Sequence, residues 1–167
     1  MNHYSFLMGI KVIIGRGFSM RANYIHDLKT WEEEFEFFTE VKVRFSETDM
    51  FGHLNNTVPF AYFEFARIEY LKHLGFMTNW TTEQITKIPV VANLQCDYLK
   101  QVYFDETLRI YVKAAHIGTT SIDLHYLAKN ENDEICFTGR GTIVQIDKVT
   151  GKATPWNDKE KQILHGK

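Results

Sequence analysis

Cysteine is scarce: Cys96 and Cys136 are the only two in 167 residues. Two thiols cannot staple a small disulfide scaffold, and both stand in apolar stretches where a free thiol acts as a small hydrophobe. A reducing, cytoplasmic setting is therefore expected. No His-x-x-x-His spacing occurs, nor any P-loop or dinucleotide fingerprint, so no metal site and no cofactor is expected. An excess of one charge is also lacking. Nineteen basic residues face 21 acidic ones, interspersed, for a net charge of −2. Such a chain carries no global field for nucleic acid. No apolar run approaches the roughly 20 residues of a membrane-spanning helix. The nearest, Phe6–Ile10 with Val12–Ile14, is broken by Lys11 and lacks the basic stretch of a signal peptide. Residues 1–35 are read as a loosely held extension of unassigned role, with neither membrane nor nucleic acid as a partner.

What remains is ordinary globular material, 44% hydrophobic and 24% charged, enough for the core of one domain. Residues 36–155 are taken as that domain, and 156–167 as a tail with a short closing helix. Phe35 to Phe45 alternates with period two, placing Phe37, Thr39, Val41, Val43 and Phe45 on one side of a strand. A polar loop from Ser46 to Asn55 follows. The apolar segment from Asn56 to Phe76 then predicts a helix, with Asn55, Asn56 or Thr57 as cap and Pro59 tolerated in the first turn. Phe60, Phe63, Ile68, Leu71 and Leu74 form a broad apolar face, and Glu69, Lys72 and His73 a narrow wet strip. Glu64 and Arg67 fall within the apolar face, where an i,i+3 ion pair is expected to anchor the helix. From Ile88 to Asp147 four further stretches alternate as strands, with turns at Gly118–Thr120 and Glu131–Asp133. The expected class is α+β: a five-stranded antiparallel sheet wrapped around one long central helix. Long strand edges invite a second copy, so a homodimer or homotetramer is expected.

The chemistry points to the loop Asp49-Met50-Phe51-Gly52-His53-Leu54-Asn55-Asn56. It leads into a helix N-terminus, where unpaired N–H groups and the positive end of the dipole can hold a developing oxyanion. A carboxylate a few residues upstream can reach the same carbonyl as nucleophile or general base. Gly52 lets the backbone pass close to a ligand. Taken singly, Asp49 also suits a turn, His53 a loop brace, and Asn55 and Asn56 helix caps.

Arg44 to Leu71, through its Asp-x-x-Gly-His-x-Asn-Asn loop and its Tyr62-Phe63-Glu64-x-Ala66-Arg67 helix, resembles the 4-hydroxybenzoyl-CoA thioesterase-like hotdog proteins. The resemblance extends more loosely to Asp147 and leaves out residues 1 to about 35. It implies the hotdog fold, with sheets paired edge to edge between subunits and active sites at the interface. It also implies that Asp49 is the catalytic aspartate, as nucleophile or base, and that the Asn56 N–H polarises a thioester carbonyl. Pro59 departs from the family, where many members carry an aromatic residue, and bears on the shape of the acyl pocket.

The expected activity is hydrolysis of an acyl-CoA thioester to free acid and CoA, with His53 and Asn55 shaping the loop and Glu64 a further candidate near the site. CoA is then part of the substrate rather than a cofactor. Arg140, Lys100 and Lys113 are candidates for the CoA phosphates. His125 is read as a surface or interface residue. Three alternatives stand beside this reading: a thioesterase acting on acyl carrier protein, a 3-hydroxyacyl dehydratase using His53 with Glu64, and a non-catalytic acyl-CoA-binding protein.

Overall fold

A computed structural model describes residues 22–76 and 86–165. The apolar run at Phe6–Ile14 lies outside the described residues. In chain order the elements are α1 (Leu28–Glu33), β1 (Phe37–Lys42), a 3₁₀ turn (Phe45–Glu47), α2 (Val58–His73), β2 (Lys87–Tyr98), β3 (Thr107–Ile117), β4 (Ser121–Lys129), β5 (Ile135–Asp147) and α3 (Asp158–Leu164). The five strands form one antiparallel sheet in the order β1-β3-β4-β5-β2. The sheet and the central helix α2 make the α+β layers that the alternation of apolar residues predicts, in the hotdog arrangement that the family resemblance implies.

Period-two alternation selects the face each strand turns to α2. Leu108, Ile110 and Val112 of β3, Ile122, Leu124 and Tyr126 of β4, and Phe137 and Ile143 of β5 are buried in one cluster with Tyr62, Phe63, Ala66 and Tyr70 of α2. Phe63 stacks on Tyr126 with ring centroids 4.5 Å apart, and meets Phe137 edge-on at 5.7 Å. Its ring fits because position 139 on β5 is glycine: a Cβ there would stand 2.5 Å from two Phe63 ring carbons. Asn157 caps α3 through a reciprocal bond pair with Glu160, and Leu164 is buried.

Four expectations are corrected. β1 stops at Lys42, and Phe45 turns out of the strand into the 3₁₀ turn with 77% of its surface exposed. Of the face expected for α2, Phe63 and Leu71 are buried and Phe60 and Leu74 pack partly buried against the core, while the buried set also takes in Pro59, Tyr62, Ala66 and Tyr70 and omits Ile68. Glu64 is exposed, Arg67 is half-buried, and no ion pair joins them among the described residues. Arg67 instead lies by the buried Tyr126 hydroxyl, where its charge opposes the upward push of burial on that phenol.

The other two corrections concern the outer sheet face. Part of the presumed loose extension packs there, with Ala22 and Trp31 buried. Trp31 Nε1 donates to His125 Nδ1 at 2.8 Å, so His125 is a covered residue, 7% exposed, rather than a surface one. Lys113 donates to the Trp31 carbonyl at 2.7 Å and pairs with Glu34. Lys129 pairs with Glu32. The polar outer face of β3 and β4 is thus satisfied by a segment distant in sequence, as buried donors and charges require. This second layer explains why β4 is buried on both faces over most of its length.

Candidate active site

Between β1 and α2 the chain makes a tight polar loop whose bonds are nearly all internal. The Asp49 N–H donates to the His53 carbonyl at 2.8 Å, and the Gly52 N–H to the Asp49 carbonyl at 3.0 Å. Gly52 has φ +77°, a left-handed conformation that glycine adopts without side-chain strain. The loop is tied to the body of the protein by the Leu54 N–H, which donates to the Val102 carbonyl at 2.7 Å. The His53 ring meets Tyr103 edge-on at 5.1 Å, opposite an isolated bridge between the same two residues.

The half-buried Asp49 side chain is used asymmetrically. Its Oδ1 accepts from the Phe51 N–H at 2.8 Å and the His53 N–H at 3.1 Å. Oδ2 accepts no hydrogen bond among the described residues. One oxygen therefore fixes the carboxylate and the other stays available.

The entry to α2 shows the same economy. The Asn55 N–H donates to the Glu47 carbonyl at 2.8 Å, and the Val58 N–H to the Asn55 carbonyl at 2.9 Å. The Thr57 N–H and hydroxyl both donate to Asn55 Oδ1, at 3.1 and 3.0 Å. The Phe60 N–H reaches the Thr57 carbonyl at 3.3 Å, and Pro59 has no N–H. Of residues 55–60 this leaves the Asn56 N–H with no partner among the described residues. An unpaired N–H at the positive end of a 16-residue helix is suited to an oxyanion.

Both groups open on one cleft of about 470 Å³, lined by Asp49, His53, Asn55, Asn56, Tyr98 and Lys100 with apolar Leu54, Leu99, Val102 and Phe137. Five of the candidates named from sequence thus meet in one place. Glu64, Arg140 and Lys113 do not line it. Arg140 grips Asp123 through Nε at 2.9 Å and Nη2 at 2.7 Å, and Lys113 is committed to Trp31 and Glu34 under α1. Both are structural charges of the outer face. Lys100 pairs with Glu134.

Tyr98 is one of the lining residues not named as a candidate from the sequence. Tyr98, at the end of β2, donates its hydroxyl to the Asn56 carbonyl and so pins the helix entry to the sheet. Burial pushes its phenol up to about 12, so it remains a donor at neutral pH. The alternation of β2 puts Tyr98 on the α2 face, but nothing local in the sequence reveals a contact 42 residues away.

The sequence model of the thioesterase-like superfamily matches residues 43–164. The chain belongs to this superfamily. The match takes in the loop, α2, β2 to β5 and α3, and leaves out α1 and β1. A superfamily relative in sequence is YsmA of Bacillus subtilis (strain 168), itself uncharacterized, 52% identical over 134 residues that span 80% of this chain and 88% of YsmA. Among solved structures, a predicted thioesterase from Bacillus stearothermophilus is 30% identical with a TM-score of 0.70, over 78% of this chain and 94% of that one. A thioesterase from Thermus thermophilus, complexed with coenzyme A and Zn, is 26% identical with a TM-score of 0.67, over 80% and 95% of the two chains.

Proposed function

We propose that this thioesterase-like superfamily member hydrolyses an acyl-CoA thioester to the free acid and CoA at the Asp49–Asn56 cleft. The observation that carries the reading is the pairing, in one cleft, of a fixed carboxylate whose Oδ2 and a helix entry whose Asn56 N–H have no partner among the described residues. The structural relative complexed with coenzyme A supports CoA as the carrier.

In the reaction the carbonyl oxygen takes the Asn56 N–H, which stabilises negative charge as it develops. Two routes balance. Asp49 Oδ2 attacks the carbonyl carbon, the C–S bond breaks, and water hydrolyses the resulting anhydride. Alternatively, Oδ2 takes a proton from water whose hydroxide attacks. In both, the sulfur leaves as thiolate and is protonated, and Asp49 ends as it began. His53 and Asn55 hold the loop that presents these groups, and Lys100 at the cleft is the candidate for a CoA phosphate.

The working unit is taken to be at least a dimer. The outer edge of β2 has no strand beside it among the described residues, and Val91 and Tyr98 on that strand are exposed. Tyr98 also lines the cleft, so a copy pairing along β2 stands next to the site. Glu64 can take part only through such a copy, since it does not line its own cleft.

The test is thiol release from a panel of aliphatic and aromatic acyl-CoAs by wild type and Asp49→Ala. Release that collapses in a folded variant supports the assignment and names the acyl class. Binding without release from any acyl-CoA shifts the reading to an acyl carrier protein substrate or to a non-catalytic binder.

A further inference from the structure

The loop bearing Asp49 and the entry bearing Asn56 are held from behind by one residue, through its side chain and its main-chain carbonyl, that does not line the cleft. Glu47, at the end of the 3₁₀ turn, takes two hydrogen bonds on Oε2: from the Arg44 N–H at 2.8 Å and from the Tyr62 hydroxyl at 2.7 Å. Its main-chain carbonyl takes a third, from the Asn55 N–H at 2.8 Å. One residue thus joins the exit of β1, the second turn of α2 and the residue preceding Asn56. Tyr62 is 6% exposed and packed in the core, so it is a fixed post rather than a swinging arm. Glu47 and Tyr62 line a separate groove with Arg44, Phe45 and Phe65, and neither lines the Asp49 cleft.

We propose that Glu47 and Tyr62 are positioning residues, forming a brace that sets the Asp49 carboxylate and the Asn56 N–H at the mutual placement the reaction needs. Asp49 lies two residues beyond Glu47, and Asn55 is bonded to the Glu47 carbonyl, so both reacting groups are referenced to the same residue. The hydroxyl of Tyr62 then references that residue to the rigid helix. Without the carboxylate, the Arg44 N–H and the part-buried Tyr62 hydroxyl both lose the acceptor that ties the turn to α2, and the turn is released from the helix. A misplacement of about 1 Å at a reacting pair costs roughly 100-fold in rate. Burial and the neighbouring Glu47 carboxylate push the Tyr62 phenol well above its ordinary value, so the hydroxyl keeps its proton and remains a donor across the working pH range. The inference rests on the proposed thioesterase reading for its kinetic consequence, but the brace itself is open to a separate physical readout.

The test uses the full chain with Glu47→Ala, Glu47→Gln and Tyr62→Phe. Kinetics of thiol release are paired with amide hydrogen exchange over residues 48–56. Glu47→Ala should lower kcat about 100-fold with KM changed less than about threefold, and should speed exchange at the Asn55 N–H. Tyr62→Phe, which deletes one oxygen, should lower kcat about tenfold. Glu47→Gln keeps an oxygen able to accept from both donors and should restore kcat to within about threefold of wild type. Should Glu47→Ala fail to fold, Tyr62→Phe carries the same comparison. Wild-type kcat in Glu47→Ala and Tyr62→Phe, with only the melting temperature lowered, overturns the proposal, as does failure of Glu47→Gln to rescue. If wild type itself releases no thiol, the functional reading fails. Exchange then decides the brace: faster exchange in Glu47→Ala sustains it, and unchanged exchange overturns it.

Discussion

Replacing Gly139 with alanine puts a methyl group 2.5 Å from Cε2 and Cζ of Phe63 and 3.0 Å from the Gln95 carbonyl oxygen. Neither neighbour can yield easily. Phe63 has no exposed surface and is sandwiched by Tyr126 and Phe137, while the carbonyl belongs to the β2–β5 ladder. Two effects oppose each other. Alanine restricts the unfolded chain and by itself stabilises by about 0.4–1 kcal/mol. Overpacking a full core costs about 1–3 kcal/mol, and more where no rotamer is free. The contact distance decides for overpacking, giving a net loss of roughly 1–2 kcal/mol, or about 3–8 °C in melting temperature for a domain of this size. Thermal unfolding by circular dichroism measures the loss. A second change, Phe63→Leu, removes the clashing ring edge, so the double variant should be more stable than the two single losses predict by at least about 0.5 kcal/mol. An unshifted melting temperature for Gly139→Ala, or strict additivity in the cycle, refutes the claim that α2 is seated on the sheet through this one absent side chain.

Other outcomes follow from the same geometry. Tyr98→Phe frees the Asn56 carbonyl and should lower kcat about tenfold with little change in melting temperature, read by thiol release; an unchanged kcat detaches Tyr98 from the site. Burial, aided by Lys113 and Arg140 against Asp123 and Glu34, holds His125 down to about 4 from its ordinary 6.5. The folded protein therefore binds fewer protons than the unfolded chain between those values, so this contribution is complete above about pH 6.5 and is lost as pH falls toward 4. It amounts to roughly 3 kcal/mol, and His125→Gln should flatten that part of the curve of melting temperature against pH; parallel curves exclude it. Lys100→Ala should raise KM for an acyl-CoA several-fold more than KM for a short pantetheine thioester that lacks the nucleotide phosphates. Equal changes for the two substrates remove Lys100 from phosphate recognition.

The sheet and its helix were legible because alternation and helical spacing are local properties, written into consecutive residues such as Leu108–Val112 or Phe137–Ile143. The loop was legible because Asp49, Gly52 and Asn55 are residue types that a tight turn before a helix requires. What escaped the sequence depends on contacts between distant segments. Phe45 alternates correctly with Val41 and Val43, yet the turn fixed by the Arg44 N–H and Glu47 carries it out of the strand. Glu64 was misplaced because an apolar arc drawn from side-chain type ignored Tyr62 and Tyr70, which bury their rings. Lys113 and His125 read as solvent-facing until Trp31 and Glu34 cover them. No periodicity records a lid supplied from about 80 or more residues away in sequence.

Above all, Asp49 is held to react through the oxygen its loop leaves free. Single-turnover thiol release from the best acyl-CoA of the panel, by wild type and Asp49→Asn, tests this directly. Asparagine keeps an oxygen to accept from the Phe51 and His53 N–H groups, so the loop is preserved while the reactive oxygen becomes an amide nitrogen. The expected result is a fall of about 100-fold to 10,000-fold in rate, with the melting temperature and acyl-CoA binding nearly unchanged. Wild-type release by Asp49→Asn contradicts it and places the chemistry on another residue.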